Sequence, residues 1–342
     1  MPEPTLLELV TADGLYLANI PLEEQTNEIC LAACDQNGFA IQFVLLPHTQ
    51  TMQSAAIAQS PFSIQEIHNP TYTSKLYACQ LEGMVLPYLA PLTQELCNTA
   101  VQQNKNSFMY VPAEFQAEPM CELAVGFNGM LLEFVAVQTE NICVKAVKQN
   151  GFALKHVVTQ TDLICNHAVL QNINSFRFDT LQLWRRCYKV LKKKGILLEF
   201  LIDKSDTKLT FTAVSNDPYA IRFVPEEYQT EGLCMTAVDG DGMTLEFVIN
   251  QTEGICIIAC ANDGYALTLV ETQTVDICLE AVRQNGMTLE FVINQTEQIC
   301  IDACTQDGMA LRLVAVQTQP IVDAAIAQNP YSAQYALPEF LP

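Results

Sequence analysis

Fourteen cysteines are the residues of this chain with the widest chemical reach, as metal ligands, nucleophiles or a redox reserve. Their spacing points instead to packing. Ten of them (Cys30, Cys97, Cys121, Cys143, Cys165, Cys187, Cys234, Cys256, Cys278 and Cys300) stand eight residues before a recurring anchor position, and four (Cys34, Cys79, Cys260 and Cys304) stand four before it. Positions four apart share one helical face. Other copies of the pattern place Ala, Val or Ile there, so the thiols read as small buried hydrophobes. The three Cys-x-x-x-Cys pairs have no nearby histidines to complete a zinc tetrahedron. Partners in successive copies would sit a helix spacing apart, roughly 8–10 Å, beyond comfortable disulfide reach.

A second group is the run Trp184 to Lys194, which together with Lys204 and Lys208 holds eight of the 17 basic residues. Aromatic rings among cations suit nucleic acid or phosphate. They equally suit an acidic protein surface or the acidic remainder of another copy of the chain. A degenerate repeat with a solvated basic face is the plain alternative. The expected partner-binding residues are Trp184, Arg185, Arg186, Lys189, Lys192, Lys193, Lys194, Lys204 and Lys208. The four histidines do not converge in sequence: His156 takes an aromatic core position, His48 and His68 fall in turns, and His167 falls on a polar face. No Ser-His-Asp or Cys-His constellation and no phosphate-binding Gly-rich loop is legible. No catalytic residue, metal or cofactor is therefore expected.

The elements that must position these residues come from an internal repeat. GMTLEFVINQTE occurs twice unchanged, at Gly242–Glu253 and Gly286–Glu297. Anchored on that glycine, copies start at Gly14, Gly38, Pro61, Gly83, Lys105, Gly129, Gly151, Ile173, Gly195, Pro218, Gly242, Gly264, Gly286, Gly308 and Pro330, spaced by 22 to 24 residues. A fixed period of this size marks a solenoid.

Twelve residues before most anchors stands Thr, once replaced by Asp206, and the next dozen residues place apolar side chains at offsets 3, 4, 7 and 8. That pattern is a capped amphipathic helix. Glu or Asp often follows the cap, as at Glu140 and Asp162, where the helix dipole favours it. The anchor, preceded by Asp or Asn and sometimes replaced by Pro, opens another short helix, with glycine easing the turn into it. An apolar residue follows at three and an aromatic at five, as in Phe134 and Phe247, read as core. From Gly38 onward Ala stands five residues before every anchor but one, which sets a close helix approach. The exception, Val190, belongs to the repeat that has Leu183 instead of the Thr cap. The insertions PLEEQ (21–25), PAEFQ (112–116) and PEEYQ (225–229) lengthen three copies to 24 residues and are expected along one edge, as a recognition rim.

The expected fold is an all-α solenoid, a superhelical array of about 14 short helical hairpins forming one continuous body over residues 1–342. It comprises N-terminal repeats (14–172), atypical basic repeats (173–217), C-terminal repeats (218–329) and a partial repeat or cap (330–342). A net charge of −21 disfavours nucleic acid and anionic membrane as general partners. Half the residues are apolar, enough for a long core, yet no apolar run reaches membrane-spanning length. PEPTLLELV after Met1 has no export-signal character, so a cytoplasmic location is expected.

Segments such as TENICVKAVKQNGFALKHV and QTVDICLEAVRQNGMTLEFV resemble the domain-of-unknown-function 4116 repeat family, through the capped I-C-x-x-A-V-x-Q-N-G run and the helix after it. The resemblance covers essentially the whole chain. It implies a source among giant DNA viruses or bacteria and carries no catalytic residues. The expected function is a non-enzymatic structural or protein–protein interaction scaffold. Its partners would be other proteins, capsid or assembly components, or copies of itself, in host cytoplasm or virion. The alternatives are a host-interacting binding protein, or an enzyme or ligand-binding protein with its site in the groove of the superhelix.

Overall fold

Thr139 shows how most repeats begin: its hydroxyl accepts the Ile142 N–H at 3.4 Å and starts a ten-residue α-helix, Glu140–Gln149. Offsets 3, 4, 7 and 8 from that cap are Ile142, Cys143, Ala146 and Val147, all buried. In this computed structural model, which describes residues 4–341, fifteen α-helices occur, twelve of them with a side-chain cap, and no strand occurs among the described residues. Fourteen of them have ten residues, and the first, Leu6–Ala12, has seven.

The second element of the repeat is not an α-helix. Each α-helix is followed by a six-residue 3-10 helix, such as Gly151–His156. The buried residues Gly151, Leu154 and Val157 recur every three positions, the period of a 3-10 turn, and Ala153 fills the space beside them. Apolar residues at two, three and six after the anchor therefore select the tighter helix. The aromatic at five lies at the margin: Phe134 and Phe247 are half-buried and Tyr88 is exposed, contrary to a core reading. The pairs number fifteen rather than about fourteen, because Leu6–Ala12 has its own capping box of Thr5 and Glu8 and precedes the 3-10 helix Gly14–Asn19.

One extended residue joins the two helices. Asn150 (φ −146°, ψ 110°) closes the α-helix with its N–H on Ala146 O at 2.9 Å, and its Oδ1 accepts the Phe152 N–H at 3.0 Å to open the next. No glycine has positive φ among the described residues, so the anchor glycine is not what makes the turn. It is there because the chain ahead comes too close. A Cβ on Gly151 would lie 2.5 Å from Ala168 O, and one on Gly286 would lie 2.4 Å from Ala303 O. Ten of the thirteen recurring alanines are the other half of this contact, and all thirteen are fully buried.

Within each unit, two side-chain amides clamp many of the repeats to the next. The Gln two residues before the anchor reaches back: Gln171 Oε1 accepts the Gly151 N–H at 2.6 Å and its Nε2 donates to Gln149 O at 3.3 Å. The Gln before the cap reaches forward: Gln138 Nε2 donates to His156 O at 2.8 Å and its Oε1 accepts the Val158 N–H at 3.0 Å. The Cys143 thiol also lies 3.6 Å from that Oε1. These bonds satisfy main-chain groups that the short helices leave over.

The chain divides into two compact units, Met1–Leu181 and Gln182–Pro342. Within each, consecutive α-helices pack side by side, the 3-10 helices form a second layer, and the apolar core lies between. Each unit is an all-α repeat solenoid. The insertions each form one further three-residue 3-10 turn, at Leu22–Glu24, Ala113–Phe115 and Glu226–Tyr228.

Candidate protein-docking face

The helix Trp184–Lys193 opens the second unit without a side-chain cap, since Leu183 offers none. Trp184 compensates from the first helical position. Its Nε1 donates to Asp206 Oδ2 at 2.9 Å, and its ring stacks on Tyr188 one turn later, with centroids 5.3 Å apart and planes 9° from parallel. Lys208 Nζ stands over both rings, 5.2 Å from the Trp184 centroid and 5.9 Å from that of Tyr188. Asp206 is itself the cap of the following helix, accepting the Lys208 and Leu209 N–H groups at 3.0 Å each.

Arg185, Lys189, Lys192 and Lys193 are exposed and follow one another along a single face of the helix. With Lys208 they make a basic surface around a stacked aromatic pair, and 42% of Trp184 is accessible. Three expected members lie elsewhere. Arg186 is buried, at 4% exposure, because it stands three residues after the cap position, where other repeats place Ile142 or Ile255. Lys194 is half-buried as the joint residue, its N–H on Val190 O at 2.8 Å. Lys204 is half-buried with its Nζ 3.4 Å from Glu199 O. Tyr188 and Asp206 belong to the site although counting charges did not select them; the four-residue spacing from Trp184 and the cap position were the available signals.

All fourteen cysteines are buried thiols outside any disulfide, and burial pushes Cys34, Cys79, Cys260 and Cys304 up to about 12. No group of three or more His, Cys, Asp or Glu side chains able to hold a metal ion occurs among the described residues. The structure does bring two histidines together: His48 and His68 have ring centroids 5.3 Å apart. His156 is half-buried, its Nε2 3.9 Å from Glu133 Oε2, rather than packed in the core.

Open grooves run between the starts of neighbouring α-helices, one of about 430 Å³ lined by Val137, Glu140, Cys143, Val158 and Thr161. Their polar walls are largely cap and clamp residues already engaged in holding repeats together, such as Thr161 on Glu140. No helix among the described residues is long and apolar enough to cross a membrane. No protein-family model, curated protein or solved structure matches the chain.

Proposed function

We propose that this protein is a non-enzymatic interaction scaffold that engages a protein partner through the exposed face of the Trp184–Lys193 helix. The observation that carries this reading is the basic surface of Arg185, Lys189, Lys192, Lys193 and Lys208 around the stacked Trp184 and Tyr188, on a chain of net charge −21. Trp, Tyr and Arg are the residue types enriched at binding hot spots, and exposed cations steer an acidic partner. The clamped stack beneath holds the face in one geometry, so little ordering remains to oppose binding. The repeat resemblance supports an assembly role in the particle of a large DNA virus, with a host-facing binding protein as the other form of the same scaffold.

The test is quantitative crosslinking in the native source, comparing wild type with Arg185, Lys189, Lys192 and Lys193 all changed to Glu. Partner proteins crosslinked to the 184–193 helix are lost in the variant, and added salt weakens their capture by the wild type. An unchanged set of crosslinked proteins, with the helical circular dichroism retained, overturns the reading.

A further inference from the structure

Charge is unevenly distributed along the second compact unit. Residues 182–217 carry eight basic and four acidic side chains, whereas residues 218–342 carry three basic and seventeen acidic ones. The balance therefore changes from +4 to −14 within one folded unit. Such a molecule has both halves of an electrostatic contact on its own surface.

The acidic half has a particular form at the edge where the α-helices begin. Glu253 and Glu297 are exposed there as the first residues of helices two repeats apart, and Glu271 is exposed just ahead of the helix between them. Between them lie Val275 and Ile293, 51% and 76% exposed. Two adjoining grooves, of about 190 and 90 Å³, share Thr274 and reach apolar side chains, Ile277 in the first and Ile299 in the second. The edge is thus an apolar seam with carboxylates along it: Glu253 and Glu297 stand two helix spacings apart, roughly 16–20 Å, and Glu271 lies ahead of the helix between them.

The basic helix carries the complementary pattern. At about 1.5 Å per residue, Arg185 and Lys192 are about 10 Å apart along the axis, close to one repeat spacing, and Lys189 lies between them. Trp184 and Tyr188 supply the apolar part. Resting on the docking face proposed above, we infer that its partner is a second copy of this chain, received on the edge marked by Glu253, Glu271 and Glu297.

Donor and acceptor patches are different parts of the same unit, so a contact made once per pair of copies is heterologous. After a single contact one copy keeps a free acceptor and the other a free donor, and association continues beyond the dimer. This arrangement fits an assembly protein better than a closed two-fold dimer would.

The experiment is sedimentation velocity on the full chain across a concentration series at low and high salt. One variant loses the donor (Arg185, Lys189, Lys192 and Lys193→Glu) and another the acceptor (Glu253, Glu271 and Glu297→Lys), with circular dichroism confirming that both fold. The wild type forms species of three or more copies that dissolve in salt, each variant alone is monomeric, and an equimolar mixture of the two stops at the dimer. A wild type that stays monomeric at low salt overturns the inference, as does either variant assembling like wild type or a mixture that remains monomeric. A monomeric wild type whose crosslinked partners still depend on Arg185 and Lys189 removes self-docking alone and leaves the docking face standing. Salt-sensitive binding of a single-stranded DNA oligonucleotide by a monomeric wild type, lost in the donor variant, makes the face a polyanion site and overturns both.

Discussion

The indole N–H of Trp184 donates to Asp206 Oδ2 at 2.9 Å, and in doing so reverses the polarity of the bond that ordinary repeats make at the same place. Elsewhere the residue after the cap accepts: Glu140 Oε1 takes the hydroxyl of Thr161 at 2.7 Å, Glu231 that of Thr252 at 3.0 Å, and Glu297 that of Thr318 at 2.7 Å. In the basic repeat donor and acceptor have exchanged sides, and the link between repeats survives. Simple decay of a repeat does not account for a paired exchange.

The pair can be tested as a cycle. Trp184→Glu alone sets a second carboxylate against Asp206 and costs about 1–2 kcal/mol of stability. Adding Asp206→Thr restores the ordinary polarity and recovers much of that loss, with a coupling of at least about 0.5 kcal/mol in urea unfolding. Additive losses show that the two side chains act independently.

Two glycines ten residues apart should respond in opposite directions to the same change. A Cβ on Gly242 meets Ala259 O at 2.4 Å, so Gly242→Ala forces neighbouring repeats apart and destabilises by about 1–3 kcal/mol. Gly232, inside the helix Glu231–Gly240, has nothing within 4 Å of its Cβ position. Gly232→Ala raises stability by about 0.5–1 kcal/mol through helix propensity. Thermal melts of the two variants shift to opposite sides of the wild type.

His48 makes one clamp sensitive to pH. It occupies the position of Gln138, and its Nδ1 accepts the His68 N–H at 3.3 Å as Gln138 accepts that of Val158. An amide does not titrate, but an imidazole protonated at Nδ1 can no longer accept. Burial lowers the His48 pKa, the Val44 carbonyl opposes that shift, and the neighbouring His68 ring reinforces it. The folded value lies below the unfolded one, so the unfolded chain takes up more protons as the pH falls. Stability present at neutral pH is lost from about pH 6.5 down through the lowered folded value. His156 contributes in the same direction, through burial that Glu133 partly offsets. Between about pH 7.5 and about pH 5, His48→Gln should lose less stability than wild type in urea unfolding. An identical acid slope shows that the clamp does not titrate.

The cysteines should be silent in the native state. Their thiols are buried, and burial raises Cys97, Cys143 and Cys300 to about 11 and Cys34, Cys79, Cys260 and Cys304 to about 12. Little thiolate forms at neutral pH, so a thiol reagent modifies the native protein slowly and all fourteen positions quickly once it is unfolded. The sign is opposite to that of the histidines. Folded thiol values lie above the unfolded one, so stability is lost as the pH rises beyond about 8.5. Rapid labelling of most thiols under native conditions contradicts the packing.

The α-helical layer was legible because its signal is local: a hydroxyl cap and four apolar offsets located Ile142, Cys143, Ala146 and Val147. The same ruler would have removed Arg186 from the basic surface, since it falls on offset three, but counting cations ignores register. The type of the second helix was harder to read, because six residues hold too few turns to separate a period of three from one of 3.6. The close approach behind the anchor glycines and the reach of the glutamines were not legible. Gln138 bonds to main-chain atoms 18 and 20 residues away, and main-chain atoms leave no residue type to recognise.

The forward clamp spans 18 and 20 residues in long repeats and short ones alike: Gln116 to Phe134 and Ala136, Gln229 to Phe247 and Ile249, Gln138 to His156 and Val158. All variation in repeat length falls outside that span, between the end of one 3-10 helix and the next glutamine. Val111 and Gln116 bracket such a stretch, and Val135 and Gln138 bracket its minimal form. Each clamped span is therefore a graduation of fixed width on a ruler, with a splice point beside it. Foreign sequence entering at Glu226–Tyr228 leaves the graduations on either side in place, so the array can acquire new appendages one at a time without recalibrating the rest.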